Sequence, residues 1–335
     1  MPPELLIVSR AHVARLLPMA ACIEAMADAL RATARGEVAL PLRQVVLLPD
    51  GRGALASMPA VSDVHGMSVK VITVLPGNHA RGLPSHQGAV LLFDGEDGRL
   101  RAVVDARAVT AIRTAAVSAV ATRLLARADA GDLALLGSGE QAHTHLEALR
   151  LVRPLRRVRV WSPTAAHRDA FAARASTADL AVEPMATAQA TVHGADLICT
   201  VTAAREPVLH GAWIAPGAHV NAVGASLKTA RELDTDAVAR ARLFVDRRES
   251  ALHEAGDFLI PRAEGAIGDD HIVAELGELL LEGMAPGRRN AREITLFKSL
   301  GIAVEDLAAV HHIYQRAVAE QAGTRVPFGD NDAAD

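Results

Sequence analysis

Two cysteines in 335 residues, Cys22 and Cys199, leave no material for a disulfide framework, and neither stands in Cys-x-x-Cys spacing. Both lie in apolar surroundings, where they read as buried thiols of a reducing compartment. No basic block is present and the net charge is -4, which argues against nucleic acid as the main partner. No uninterrupted apolar run approaches the ~18 residues that cross a bilayer. Met1 to Ser9 lacks the basic start and long apolar run of a secretory signal. Internal repeats and low-complexity linkers are missing as well. These absences predict a cytoplasmic protein that works without membrane or nucleic acid.

Lysine is also scarce, with three residues (Lys70, Lys228 and Lys298) against 32 arginines. Either this is chance, or the chain keeps lysine where a compact, titratable amine matters. Lys70 is the residue to follow.

What is present is apolar. Half of the residues are hydrophobic, and at ~150 residues per domain the length suggests two domains. Leu5 to Val8 can form a short strand, and Ile23, Met26, Ala27 and Leu30 carry the period of an amphipathic helix. From Leu40 the period changes. Leu42–Leu48, Ala54–Met58, Met67–Leu75, Gly88–Phe93 and Leu100–Val104 are β-rich segments separated by Pro/Gly/Asp turns, an antiparallel meander. An Ala-rich helix over Ala106–Ala128 follows.

The stretch Leu133-Ala-Leu-Leu-Gly137-Ser138-Gly139-Glu140-Gln141-Ala142 then runs four apolar residues into Gly-x-Gly-x-x-Ala and a helical pattern. The first Gly permits the turn, the second clears a path for a pyrophosphate, and the helix N-terminus supplies amide donors. Strands over Val158–Trp161, Ala195–Thr202, His219–Val223 and Leu243–Val245 alternate with helices. Helical pattern is expected again over Ile272–Leu281 and Val304–Ala322, before a polar tail, Gly329–Asp335, that should fray. The fold expected is α/β: a Rossmann-type doubly wound parallel sheet over residues 119–302. Residues 1–118 with 303–335 form an α+β substrate-binding and dimerisation domain built on the meander.

In such a sheet the end of the second strand reads the adenine ribose, and an acidic residue there selects a bare 2′-hydroxyl. Here Trp161 is followed by Ser162, Pro163 and Thr164, with Arg168 one turn on. Hydroxyls and positive charge favour a 2′-phosphate. The expected cofactor is NADPH, with NADH as the lesser possibility. The histidines are scattered without ligand spacing, so no metal is expected.

With these residues in view the chain resembles the ornithine cyclodeaminase/mu-crystallin family. The likeness rests on Met58-Pro59, Val69-Lys70, Ser85-His86-Gln87, Ala111-Ile-Arg113-Thr114-Ala-Ala116, the Gly-rich turn, Asn221-Ala-Val-Gly224 and Phe297-Lys-Ser-Leu-Gly301. The resemblance implies homodimers formed through the meander domain and a substrate pocket between the two domains. It implies that Arg43, Lys70 and Arg113 hold a substrate carboxylate. It also implies that Thr114, Thr200, Val201, Thr202, Val223, Gly224, Ser299 and Gly301 contact the cofactor. Three gathered cations would repel one another unless an anion completed the site. A cation on a half-apolar strand can also be a solvated edge residue. Arg113 has no carboxylate at i±3 or i±4 within its helix, so its partner must come from elsewhere.

The cyclodeaminases carry a carboxylate where this chain has Ser226, and a second where it has Ala56. Deamination with ring closure needs a base, and neither position supplies one. Gly224-Ala-Ser226 and Ser85-His86-Gln87 look more like the mu-crystallin branch, whose members reduce cyclic ketimines. The expected activity is therefore NADPH-dependent reduction of Δ1-pyrroline-2-carboxylate or Δ1-piperideine-2-carboxylate to L-proline or L-pipecolate. Lys70 or His86 would hold the iminium proton and Ser226 would bond the ring nitrogen, unless His86 only satisfies a turn carbonyl. Two alternatives stay open. One is a cyclodeaminase or alanine-dehydrogenase-like enzyme, with Glu140 or Asp257 as base; the other is a non-catalytic binding protein of mu-crystallin type.

Overall fold

The structure, a computed structural model, describes residues 4–282 and 287–329. Of the tail expected to fray, all but Gly329 lies outside the described residues. Contacts group the chain into two units, Met1–Arg113 with Ile302–Asp335, and Thr114–Gly301. The sequence reading put the cuts a few residues later, after residues 118 and 302.

The first unit opens with β1 (Glu4–Val8), α1 (Arg10–Leu16), α2 (Met19–Ala34) and β2 (Val38–Ala39). Its meander comprises β3 (Gln44–Leu47), β4 (Ala54–Ser62), β5 (Gly66–Val74), β6 (His86–Phe93) and β7 (Leu100–Asp105). The α2 stripe is as its period requires, with Ile23, Met26, Ala27 and Leu30 all buried. Strands β4 to β7 pair antiparallel in sequence, and β1 joins β7 in parallel. Period-2 alternation sorts their faces. Met58, Lys70, Val90 and Val104 stand in one row across the sheet, all on the buried side.

The helix α3 (Ala106–Leu125) carries the chain on. It is long and apolar enough to cross a membrane by length and composition, a property hidden from a search for uninterrupted apolar runs by its arginines. Most of that window, 78%, is buried inside the protein, so α3 is a core helix.

The second unit runs β8 (Asp132–Leu136), α4 (Glu140–Val152), β9 (Arg157–Trp161), α5 (Ala165–Ala175), β10 (Val182–Pro184) and α6 (Ala188–Val192). It continues through β11 (Leu197–Thr200), β12 (His219–Ala222), α7 (Thr235–Ala239), β13 (Arg242–Val245), α8 (Arg248–Glu254) and α9 (Gly256–Ala263). It ends with β14 (Ile272–Glu275), α10 (Leu276–Leu279) and β15 (Thr295–Lys298). All eight strands are parallel, in the order β10-β9-β8-β11-β12-β15-β13-β14. Alternate residues feed two cores, Leu133, Leu135 and Cys199 on one face, Ala134, Leu136 and Ile198 on the other. A sheet covered on both sides explains strands that are apolar throughout.

The chain then returns to the first unit with α11 (Ala303–Ala319) and β16 (Thr324–Pro327). Helix α11 packs on α2, β4 and β5, over the row that holds Lys70. The eight-stranded mixed sheet is closed by β16, antiparallel to β1.

The differences from expectation are local. Ile272–Glu275 is a strand rather than the start of a helix, because it pairs with β13 at the sheet edge. The helix begins at Leu276 behind reciprocal bonds between Glu275 and Glu278. Short β10, β15 and β16 were not anticipated, since three or four residues carry too little period to announce a strand.

Candidate functional site

Each unit presents one half of the expected chemistry. In the first, the burial of Lys70 rules out the solvated-edge reading, for its side chain is 2% exposed on a central strand. Its Nζ lies 2.6 Å from Asp306 of α11. Arg113 donates from Nε to Asp306 at 3.1 Å and from Nη1 to Glu305 at 2.7 Å. The partner that Arg113 required thus comes from 192 and 193 residues away. Both carboxylates sit in the first turn of α11, where the helix dipole favours negative charge.

The expectation that only a bound anion could reconcile the cations needs correcting. The protein itself supplies two of the anions. Burial pushes Lys70 down to about 8 despite the attraction of Asp306, and Arg113 and Arg43 act in the same direction as burial. Burial alone would raise Asp306, but Arg113 and Lys70 hold it below the usual carboxylate range. Arg43, half-buried before β3, is near enough to act on Lys70. Lys70, Arg113 and Arg43 are thus set against Glu305 and Asp306 in the first unit. Cys22 is buried under the influence of Arg113 and Glu305, and burial drives its thiol well above the ordinary range.

His86 is placed differently. It pairs with Val74 on the same face as Lys70, four residues further along β5, which is roughly 13 Å at the rise of a strand. It is exposed and its Nδ1 lies 2.9 Å from the Ser85 hydroxyl.

The second unit holds the nucleotide elements at the carboxyl ends of its strands. The strand order reverses between β8 and β11, the switch point at which such sheets bind ligands. Gly137 follows β8 with φ +119°, and a Cβ there would meet the Val201 carbonyl oxygen at 2.7 Å, so only glycine fits. Gly139 opens α4, has open space where a side chain would be, and no side chain caps that helix end. Ser138, Glu140 and Gln141 complete the turn. An uncapped helix N-terminus beside a cleared backbone is what a pyrophosphate requires.

At the end of β9, Ser162 is buried and Thr164 heads α5 without capping it. Arg168 is held by Asp169 at 2.8 Å and the Met185 carbonyl at 3.0 Å. Thr200, Val201 and Thr202 lie at the end of β11, Val223 and Gly224 at the end of β12, with Ser226 exposed just beyond. Ser299 and Gly301 follow β15, and the Asp246 carboxylate accepts the Leu300 and Gly301 amides at 2.6 and 2.7 Å. Thr114 is buried on α3 next to Arg113.

The family follows from both halves. A model of the ornithine cyclodeaminase/mu-crystallin family matches residues 4–321. The chain belongs to that family. Within it, the chain is 44% identical over 280 residues to the ketimine reductase mu-crystallin of Mus musculus, covering 83% of this chain and 85% of that one. It is 40% identical to the Δ1-pyrroline-2-carboxylate reductase of Paracoccus denitrificans, covering 85% and 91%. A solved structure of the Thermococcus litoralis Δ1-pyrroline-2-carboxylate reductase, in complex with NADH and L-proline, superposes with a TM-score of 0.93. It is 36% identical and covers 96% of this chain and all of that one.

Sequence reasoning missed several groups that organise this family member. Glu305 and Asp306 were signalled only as two acids inside the apolar run Ile302–Val310. Asp246 and Glu232 gave no local sign, because their partners lie far away in sequence, and Asp257 and Lys298 were noted separately with nothing local to pair them.

Proposed function

We propose that this protein reduces a small cyclic ketimine carboxylate, Δ1-pyrroline-2-carboxylate or Δ1-piperideine-2-carboxylate, to L-proline or L-pipecolate at the expense of NADPH. The buried cluster of Lys70, Arg113, Glu305 and Asp306, with Arg43 beside it, carries the reading. Lys70 offers a substrate carboxylate a compact point charge, and an arginine fork can grip it with two parallel bonds. Bound nicotinamide supplies the hydride. Lys70, with its pKa near 8, is protonated at neutral pH and holds or returns the imine proton. His86 is its rival for that role, and Ser226 bonds the ring nitrogen.

The names of the mouse and Paracoccus relatives support this class over cyclodeamination, as do Ser226 and Ala56 in place of carboxylates. Asp257, considered as a substitute base, is occupied: it accepts the Glu232 and Leu233 amides and pairs with Lys298 at 2.9 Å. The absence of an acidic residue after Trp161 favours NADPH, although the Thermococcus relative is described with NADH.

The test is cofactor oxidation followed at 340 nm with both imines and with NADPH and NADH in turn. Turnover with kcat/KM higher for NADPH is expected. A flat trace with intact cofactor binding would reject the reductase, and a preference for NADH would reject the cofactor assignment alone.

We further place the protein as a homodimer in the cytoplasm, with both cysteines unpaired and buried. In the first unit Val45, Val46, Leu47 and Leu55 of β3 and β4 expose 44–72% of their surface, an apolar patch that invites a second copy. Sedimentation at micromolar concentration should give a dimer; a lone monomer would refute it.

A further inference from the structure

Glu232 lies in the loop after β12 and is fully buried. Its Oε1 accepts the backbone N–H and the hydroxyl of Thr202, both at 2.7 Å. Its Oε2 accepts the Thr200 hydroxyl at 2.8 Å and the Gly224 N–H at 2.6 Å. Four donors suit a carboxylate, which offers about four lone-pair sites. Burial and the charge of Asp257 push its pKa up, while Lys298 and the Thr202 bonds pull it down.

Behind it stands a second layer. Asp257 accepts the Glu232 and Leu233 amides at 2.8 and 3.1 Å. Lys298 pairs with Asp257 at 2.9 Å and donates to the Ala225 and Ala222 carbonyls at 2.6 and 3.2 Å. Three buried charges are costly to desolvate, and apolar side chains would serve stability as well. What they secure is position. The ends of β11 and β12 are pressed together across the carboxylate: a Cβ on Gly224 would meet the Thr202 carbonyl oxygen at 2.1 Å and Glu232 Oε1 at 2.5 Å. The glycine of Asn221-Ala-Val-Gly224 is therefore required first by the Thr202 carbonyl and then by Glu232.

We propose that Glu232 is the positioning residue for the nicotinamide ring, fixing the spacing between the Thr200–Thr202 and Val223–Ser226 segments that would frame it. The proposal rests on the nicotinamide reading of the second unit and is independent of which imine is reduced. Glu232→Gln keeps the shape and turns one acceptor into a donor facing donors. Thr200→Val deletes one donor and leaves the carboxylate in place.

In the full-length protein, NADPH affinity is read from nucleotide fluorescence without imine. Then kcat, KM and the isotope effect with 4-deuterated cofactor are measured. In Glu232→Gln, affinity should fall about tenfold or more, the scale of one charged hydrogen bond. The isotope effect on kcat should rise as hydride transfer becomes limiting, with KM for the imine unchanged. Thr200→Val should move the same readouts by a smaller factor, and Glu232→Asp should recover part of the loss. Wild-type affinity and isotope effect in a folded Glu232→Gln protein would overturn the proposal. So would equal losses of cofactor and imine binding. If no imine is reduced even by the wild type, the affinity comparison still decides the proposal while the reductase reading falls. Should Glu232→Gln fail to fold, an unchanged affinity in Thr200→Val would overturn it.

Discussion

Asp306→Asn should move the alkaline fall of kcat/KM to lower pH by about 1–3 units, the reach of one close opposite charge. The groups that act on Lys70 are Asp306 of α11, Arg113 of α3 and Arg43 before β3. Burial and the two arginines lower its proton affinity, and Asp306 alone opposes them. In the wild type the balance stands at about 8. The sign follows from the charge. A cationic proton holder is active below its pKa and fails as pH rises through it, so removing its anion brings the failure earlier.

A second effect runs the other way. The variant removes one negative charge beside Lys70 and Arg113, which should tighten binding of the substrate carboxylate at acidic pH. The two effects therefore separate: KM falls at low pH while kcat/KM is lost above neutrality. Profiles of kcat/KM against pH, taken with saturating cofactor, distinguish them. An alkaline limb that stays in place would show that Lys70 is not the titrating group, and His86 would then be the one to replace.

The parts legible in the sequence are those written in consecutive residues. Leu133–Ala142 spells strand, turn and helix in ten positions, so β8 and α4 could be read from consecutive residues alone. The meander was readable for the same reason, through alternation and turn chemistry. The parts that were not legible depend on return of the chain. Strand β15 inserts between β12 and β13 although it follows both in sequence. Lys70 and Arg113 could be singled out as cations, but the acids that neutralise them arrive only with α11. Glu232 holds the ends of β11 and β12 from a loop whose own residues, Ala230-Arg-Glu-Leu233, suggest nothing. Charges that act on distant backbone leave no period and no motif.

That long-range pairing also decides what Arg113→Ala should do. Viewed from the sequence, the substitution removes a grip on the substrate and costs on the order of 2–5 kcal/mol of its binding. In the folded protein it also removes the guanidinium from Glu305 and Asp306, whose side chains are 0% and 1% exposed, and leaves Asp306 to Lys70. Breaking a buried pair in this way costs about 3–5 kcal/mol of stability, a large share of the 5–15 typical of a domain. The melting temperature should drop by roughly 10 °C or more, and lost activity in this variant would mix unfolding with lost recognition. Arg113→Lys separates them. A single ammonium keeps the charge but cannot reach two carboxylates and a ligand with a planar fork. Its melting temperature should fall less than that of the alanine variant. KM for the imine should rise at least tenfold, about 1.4 kcal/mol, with NADPH affinity unchanged. Equal weakening of imine and NADPH in the lysine variant would remove Arg113 from the substrate grip and leave it a purely structural clamp on α11.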